Sequence, residues 1–553
     1  MKELDVSPGW RSAQAPARPK AIIRKREIII EETLSVCPVC LKRIGAKIIR
    51  RGDDYFMTKR CDEHGAFSAV IWRGSTPAIE SWGNYAAPED AAVPNCPSGC
   101  GLCPSHRQKT CCALVEVTRR CNLHCPVCFA AANGAETADT AARAGTISGE
   151  GLRASAAASA SASVSATASA TASASILHST DAEPSVRELS KIFKTLADAG
   201  NTFIHLSGGE PTVRDDLPDI VAAARDAGCE TIQLNSNGVR LGSDPAYTKA
   251  LKEAGLSFVF MQFDGVNDAI YETLRGEALF SAKRSAIKVC GKNLLGVTLV
   301  PTIVPGVNDS SIGEIIDFGL RNSPDVRGVH FQPVSYFGRY PCTPQNSDRI
   351  TLPEILRAIE TQSNKRFSVT DFAPSSCDHP RCGFHGDFVV LPNLNILKIR
   401  NGRTDAASTI VSESKSAATS APASALTEAP ASVSVAASAF TSASVSKPAE
   451  KSSCCCDDAH LRNRSFIARR WTRTQLDSAD AAAESESSET ADYQDMNAFL
   501  RRIKSHGFTI SAMAFQDAYT LDINRLRQCS LHVTGDGNTI VPFCAKYLTA
   551  AIS

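Results

Sequence analysis

The cysteines constrain this chain more than any other feature, because most of the 21 stand in short-spaced groups. Such groups close disulfides in small secreted domains. In a 553-residue chain that shows no secretory leader they are expected to hold metal. The densest group, Cys121-Asn-Leu-His-Cys125-Pro-Val-Cys128, puts three thiols on one short loop. A full [4Fe–4S] cage takes four cysteines. Three leave one iron open, and an open iron suits an amino acid chelating through its amine and carboxylate.

Two tracts stand apart from the rest. Residues 131–180 and 405–490 are dominated by Ala and Ser, which bury too little apolar surface to offset the entropy of ordering. Both are expected to be disordered insertions. The middle block alternates strand and helix signals. Apolar runs at Leu114–Thr118, Thr202–Ser207, Thr231–Leu234, Phe258–Phe263, Val297–Val304 and Gly328–Val334 read as strands. Between them, Leu189, Ile192, Phe193 and Leu196 fall at helical spacing and Gly200 closes that helix, with a further helix at Leu217–Ala227. Six strands with intervening helices imply a parallel α/β sheet, whose sites lie at the carboxyl ends of the strands.

The motifs occupy those ends. The cysteine loop, with Phe129 behind it, follows the first strand. Ser207-Gly208-Gly209-Glu210-Pro211-Thr212 follows the second. Glycines there let backbone approach a ligand closely, and Glu210 can accept from an ammonium. Asn235 and Asn237 follow the third strand, and Gln262 and Asp264 the fourth. Asn-Gly and Asp-Gly are also ordinary turn chemistry.

A three-cysteine loop after strand one and a GGEP segment after strand two resemble the radical S-adenosylmethionine (SAM) superfamily. Further segments sharpen the likeness: Cys96-Pro-Ser-Gly-Cys100-Gly-Leu-Cys103, Lys109-Thr-Cys111, Val304-Pro-Gly-Val-Asn308-Asp309, His330-Phe-Gln-Pro-Val-Ser335 with Gly338-Arg339, Cys529-Ser-Leu-His532 and Ile540-Val-Pro-Phe-Cys544. Together they resemble the archaeal tetraether lipid synthase group and its pterin-methylase-like relatives, over about residues 33–130, 181–400 and 495–550. The resemblance implies a partial (β/α)6 barrel. It implies that Cys121, Cys125 and Cys128 ligate a [4Fe–4S] cluster, that SAM caps the fourth iron, and that Gly208, Gly209, Glu210 and Pro211 contact the SAM amino group. Asn235, Asn237, Gln262, Asp264 and Phe129 are then further SAM contacts.

Other cysteines suggest auxiliary metals. Cys96, Cys100, Cys103 and Cys111 suit a [4Fe–4S] cube or a tetrahedral zinc, and the resemblance favours a cluster. Cys377 and Cys382 are too few for a cage. Cys529 and Cys544 complete one if the C-terminal block folds back, which the resemblance supports. Cys37, Cys40 and Cys61, with His64 as fourth ligand, read equally as a zinc ribbon or a mononuclear iron site. Adjacent Cys454, Cys455 and Cys456 read as incidental, and Cys229, Cys290 and Cys342 as buried thiols.

The organisation expected is a flexible terminus (1–30), a ribbon-like module (31–75), an auxiliary segment (76–112) and a radical core (113–350). A split auxiliary region (351–404 and 491–553) follows, divided by the second tract. With 59 basic and 58 acidic residues the net charge is +1, which gives no reason to expect a nucleic-acid partner. No apolar run reaches the roughly 20 residues of a membrane helix. A cytoplasmic place is expected, with a mitochondrial leader as the alternative, against which Glu3 and Asp5 come early. The leading activity is radical attack on an unactivated C–H bond, joining lipid alkyl chains, with an electron donor such as ferredoxin or flavodoxin. Methyl transfer to a small heterocycle such as a pterin is the alternative, and a non-catalytic metal-binding interaction protein the contrast.

Overall fold

The apolar runs of the middle block pair as six parallel neighbours, as strands buried on both faces should. A computed structural model describes residues 27–83, 96–97, 102, 105–132, 183–340, 342–375, 377–399, 464–465, 468, 470–473, 496–535 and 539–550. All belong to the unit made of Met1–Ile399 and Asp458–Ser553. The N-terminal 26 residues, Cys100, Cys103, Cys454–Cys456 and nearly all of both Ala/Ser tracts lie outside the described residues.

An antiparallel meander comes first: β1 (Ile28–Val36), β2 (Arg43–Arg51), β3 (Asp54–Cys61) and β4 (Gly65–Trp72). The core follows with β5 (Cys112–Thr118), β6 (Phe203–Gly208), β7 (Thr231–Ser236), β8 (Phe258–Gln262), β9 (Gly296–Val300), the short β10 (Thr302–Ile303) and β11 (Val326–Pro333). From β5 to β9 each pairs in parallel with the next, and β9 pairs in parallel with β11. The run Val297–Val304, expected as one strand, is split into β9 and β10 at Pro301, which has no N–H for the ladder.

The helix Val186–Asp198 shows why the helices form where they do. Ser185 and Glu188 close a capping box, and Leu189, Phe193 and Leu196 are buried against the sheet. Gly200, at φ +78°, ends it.

The C-terminal block contributes β12 (Ala373–Pro374), β13 (Gly383–Val390), β14 (Ile396–Ile399), β15 (Gly507–Met513), β16 (Leu531–Thr534) and β17 (Ile540–Pro542). Here β15 adds in parallel to β11 while β16 adds in parallel to β5. Both edges of the six-stranded core are thereby covered, and residues 514–530 run from one edge to the other. Phe508 and Ile510 of β15 are fully buried.

Residues 464, 465, 468 and 470–473 fall inside the second tract as the composition drew it, to 490, yet the segment packs against the sheet. Arg464 donates to the carbonyls of Thr110 (3.0 Å) and Gly200 (2.8 Å), just ahead of β5 and β6. Arg473 donates to Gly291 O (2.6 Å) and pairs with Asp325 near the start of β11. The Trp471 ring stands 5.6 Å from Phe258 and 5.1 Å from Phe260. A Cβ on Gly296 would sit 2.2 Å from Trp471 O, so only glycine allows this approach. The segment covers the amino ends of the strands. Its arginines and tryptophan, a break in the Ala/Ser composition, were the local signal of it.

Candidate active site

The cysteine loop leaves the carboxyl end of β5 and is gripped from two sides. On one side, Gly209 N donates to Thr118 O (2.8 Å) and Glu210 N to Arg120 O (2.9 Å). A Cβ on Gly208 or Gly209 would lie 2.1 Å from those same carbonyls, so the two glycines are required by the loop's own backbone. On the other side, Cys128 and Arg339 exchange backbone hydrogen bonds of 2.9 Å, and Arg339 Nε donates to Cys125 O (3.0 Å). Gly338, at φ +68°, leaves room for Cys128 O, which a Cβ would approach to 2.3 Å. Phe129 packs on Phe543 and Tyr547 of the C-terminal block, at ring distances of 5.7 and 5.1 Å. Burial pushes the Cys121 thiol up to about 12, with Glu210, Cys125 and Cys128 adding to the shift. A cationic metal is what such a buried group needs in order to ionise. Three thiols with an open side therefore fit an iron–sulfur cube with one free iron.

The strand ends around the loop are tied together. The Glu210 carboxylate is buried and accepts from Thr212 N (3.1 Å), Thr212 Oγ1 (2.6 Å), Ser236 Oγ (2.8 Å) and Asn237 N (2.6 Å). Its observed work is to brace β6 against β7. Asn235 Nδ2 donates to Ser207 Oγ (3.3 Å), and Asn237 Nδ2 to Asn122 Oδ1 of the cysteine loop (2.7 Å). Asp264 is fully buried and holds Arg275 through both oxygens (2.7 and 2.9 Å). Gln262 donates to Asp264 and accepts from Lys283 Nζ (2.8 Å). Pro211 begins a buried one-turn helix.

Arg275 and Lys283 were missed by sequence reasoning. Arg275 lines the cavity, within electrostatic reach of the Cys125 thiol. Burial pulls the Lys283 ammonium down to about 8, opposed by the charge of Asp264. No spacing rule marks either residue, because both lie on helices and act on loops that only the sheet order brings near.

One cavity of about 360 Å³ runs inside the barrel. At the carboxyl ends of the strands it meets Cys121, Cys125, Cys128, Gly209, Glu210, Asn235, Asn237 and Gln262; at the other extreme it meets Trp471. Cys111, Cys377, Asp378 and Ser530 also line it.

The auxiliary cysteines adjoin this cavity. Cys382, Cys529 and Cys544 lie within electrostatic reach of one another. Cys382 Sγ accepts from Arg525 Nε (3.0 Å), and Cys544 Sγ from Gln516 N (3.2 Å). Cys377 lies within electrostatic reach of Cys111, and its Sγ accepts from Ser530 Oγ (3.5 Å), beside Cys529. Cys96 packs in the same apolar cluster as Cys544. The described members of the first set, Cys96 and Cys111, therefore lie beside residues of the second. Cys229 and Cys290 are buried as expected, but Cys342 is exposed, on a connection rather than in the sheet.

Among the described residues, the donors grouped tightly enough for a single ion are Cys37, Cys40, Cys61 and His64. Cys61 Sγ lies 3.5 Å and Cys37 Sγ 3.7 Å from His64 Nδ1, with Cys40 and Cys61 3.9 Å apart. Tetrahedral zinc with bonds of about 2.3 Å to sulfur needs such spacings. The His64 contact, above all, brings the Cys61 thiol down to about 6. The ribbon docks on residues 514–530: Thr33 Oγ1 donates to Asp522 (2.7 Å) and the buried Lys59 to Ala518 O (2.6 Å). Cys61→Ala is expected to remove this one ion, read by elemental analysis, and to speed amide exchange in β1–β4. His64→Cys should retain the ion, since it keeps four donors.

Comparison with known proteins agrees with this geometry. The family model described as the radical SAM superfamily matches residues 115–319, and the HMPTM N-terminal zinc ribbon domain matches residues 29–73. The 7,8-dihydro-6-hydroxymethylpterin dimethyltransferase of Methanocaldococcus jannaschii is 30% identical over 533 residues, 93% of this chain and 92% of that protein. The GTP 3′,8-cyclase of Petrotoga mobilis is 30% identical over 149 residues, 27% of this chain and 45% of its own length. Among solved structures, methylornithine synthase matches with a TM-score of 0.30 and 14% identity, over 46% of this chain and 64% of that one.

Proposed function

The chain belongs to the radical SAM superfamily, alongside its pterin-methylase-like enzymes, and from that premise we propose that it transfers methyl groups to a small heterocycle of the pterin class. The observation that carries this reading is the likeness to a pterin dimethyltransferase along 93% of the chain. Polar side chains on the cavity wall, His205, Gln233 and His330 among them, support it.

When bound, the cluster and SAM together supply a 5′-deoxyadenosyl radical able to take hydrogen from an unactivated carbon. Cys121, Cys125 and Cys128 would hold the cluster. Gly208 and Gly209 keep the loop backbone flush with the strand ends, and Arg339 holds it from the opposite side. Asn235, Asn237, Gln262 and Arg275 supply polar groups to the same space, and Phe129 under Phe543 and Tyr547 excludes water from it. Cys96, Cys100, Cys103, Cys111, Cys377, Cys382, Cys529 and Cys544 are proposed to hold auxiliary iron–sulfur clusters. A low-potential electron donor such as ferredoxin or flavodoxin would serve this chemistry. No described helix is long and apolar enough to cross a membrane.

The test is anaerobic reconstitution with iron, sulfide, SAM and reductant, followed by incubation with 7,8-dihydro-6-hydroxymethylpterin. A methylated pterin is the expected product, seen by mass spectrometry beside 5′-deoxyadenosine. If the pterin returns unaltered while an alkyl lipid acquires a new C–C bond, chain joining replaces methyl transfer.

A further inference from the structure

Four uncharged polar side chains interrupt the largely apolar wall of the cavity. His205 on β6, Gln233 on β7, His330 on β11 and Ser511 on β15 all line it. Gln233 Nε2 lies 3.2 Å from His205 Nδ1 and 3.3 Å from His205 Nε2, and His330 Nδ1 lies 2.9 Å from Ser511 Oγ. Burial holds both imidazoles neutral, His205 at about 3 and His330 at about 4. Each ring therefore offers one donor and one acceptor. Among the described residues no hydrogen bond takes up Gln233 Oε1 or His330 Nε2.

The wall around them is largely apolar, with aromatic rings set beside both imidazoles. Phe260 lies 6.0 Å from His205 and 5.1 Å from His330, ring to ring. Trp471 stands 5.1 Å from Phe260 and shuts the end away from the cysteine loop. An alkyl chain drawn this deep would strip water from Gln233 and His330 and return nothing to them. A flat ring with donors and acceptors along one edge would satisfy both and stack on the aromatic faces.

We infer that Gln233 and His330, with Trp471 as the closing wall, are the specificity-determining floor of the cavity and select a planar heterocycle bearing an amide- or amidine-like edge. This deepens the methyl-transfer reading and rests on it for the pterin itself. Trp471 thereby takes part in selection, because it supplies the wall that limits how far a substrate can enter.

The inference is tested by calorimetric binding to the anaerobically reconstituted full chain, with 7,8-dihydro-6-hydroxymethylpterin and guanine as probes. Gln233→Leu and His330→Phe should each weaken pterin binding roughly three- to tenfold, the worth of one neutral hydrogen bond. His330→Gln, which keeps a donor and an acceptor, should recover most of the loss. Iron content and the thermal transition of each variant show that it has folded. Pterin affinity equal to wild type in both Gln233→Leu and His330→Phe overturns the floor while leaving methyl transfer standing. Guanine binding with that dependence, and no pterin binding, supports the floor and removes the pterin. Binding of neither probe to wild type overturns both.

Discussion

A chain carrying Cys121→Ala, Cys125→Ala and Cys128→Ala together will lose about four irons and all detectable SAM cleavage, yet will stay folded. The expectation of folding rests on how the loop is held. Its backbone is fixed by Gly209 and Glu210 from β6 and by the paired hydrogen bonds of Cys128 and Arg339, none of which uses a thiol. Leu123 anchors the loop's interior among Tyr271 and Leu279. Removing three sulfurs from this frame leaves apolar methyls in a partly buried place, a small cost beside loss of the metal. The ion of the Cys37, Cys40, Cys61 and His64 group should remain, so elemental analysis ought to show iron falling while that ion persists. Undiminished 5′-deoxyadenosine formation by this variant would end the radical reading of the loop.

Two deletions in the second tract should differ sharply in outcome. Excising 405–457, replaced by a short Gly/Ser linker, is expected to leave iron content and thermal stability close to wild type. The excised residues are mostly small and polar, and closing a loop costs only logarithmically with its length. Extending the excision to residue 473 removes Arg464, Trp471 and Arg473 as well. Loss of the tryptophan alone should cost about 3–5 kcal/mol, typical of a large aromatic taken from a packed site. The faces of Phe258 and Phe260 would then meet water, and Asp325 would lose Arg473, its ion partner. The longer deletion is therefore expected to lower the melting temperature strongly or to prevent recovery of folded protein. Equal stability of the two variants would show that the segment merely rests on the barrel.

How far a sequence can be read here follows from distance along the chain. The cysteine loop, the paired glycines and the ribbon with His64 three residues beyond Cys61 were all legible as motifs, because each is written in closely spaced residues. The six core strands were legible for the same reason, since burial on both faces writes itself as a continuous apolar run. The capping box at Ser185 and the break at Pro301 are likewise local chemistry.

Other features had no local trace. Arg275 and Lys283 sit on helices whose periodicity announces only a buried face, and what they touch depends on which strand ends are neighbours. That Cys377 lies near Cys111 and Ser530, and Cys382 near Cys529 and Cys544, depends on β15 joining one edge of the core and β16 the other. Trp471 was hidden by the composition around it. The sequence by itself determined the grouping of the donor residues and the succession of the six core strands, because spacing and burial act over a few residues. Only the tertiary structure decided which thiols meet and where the cavity ends. Those outcomes depend on pairing sheet edges several hundred residues apart, and the free energy of that pairing is spread over the whole barrel.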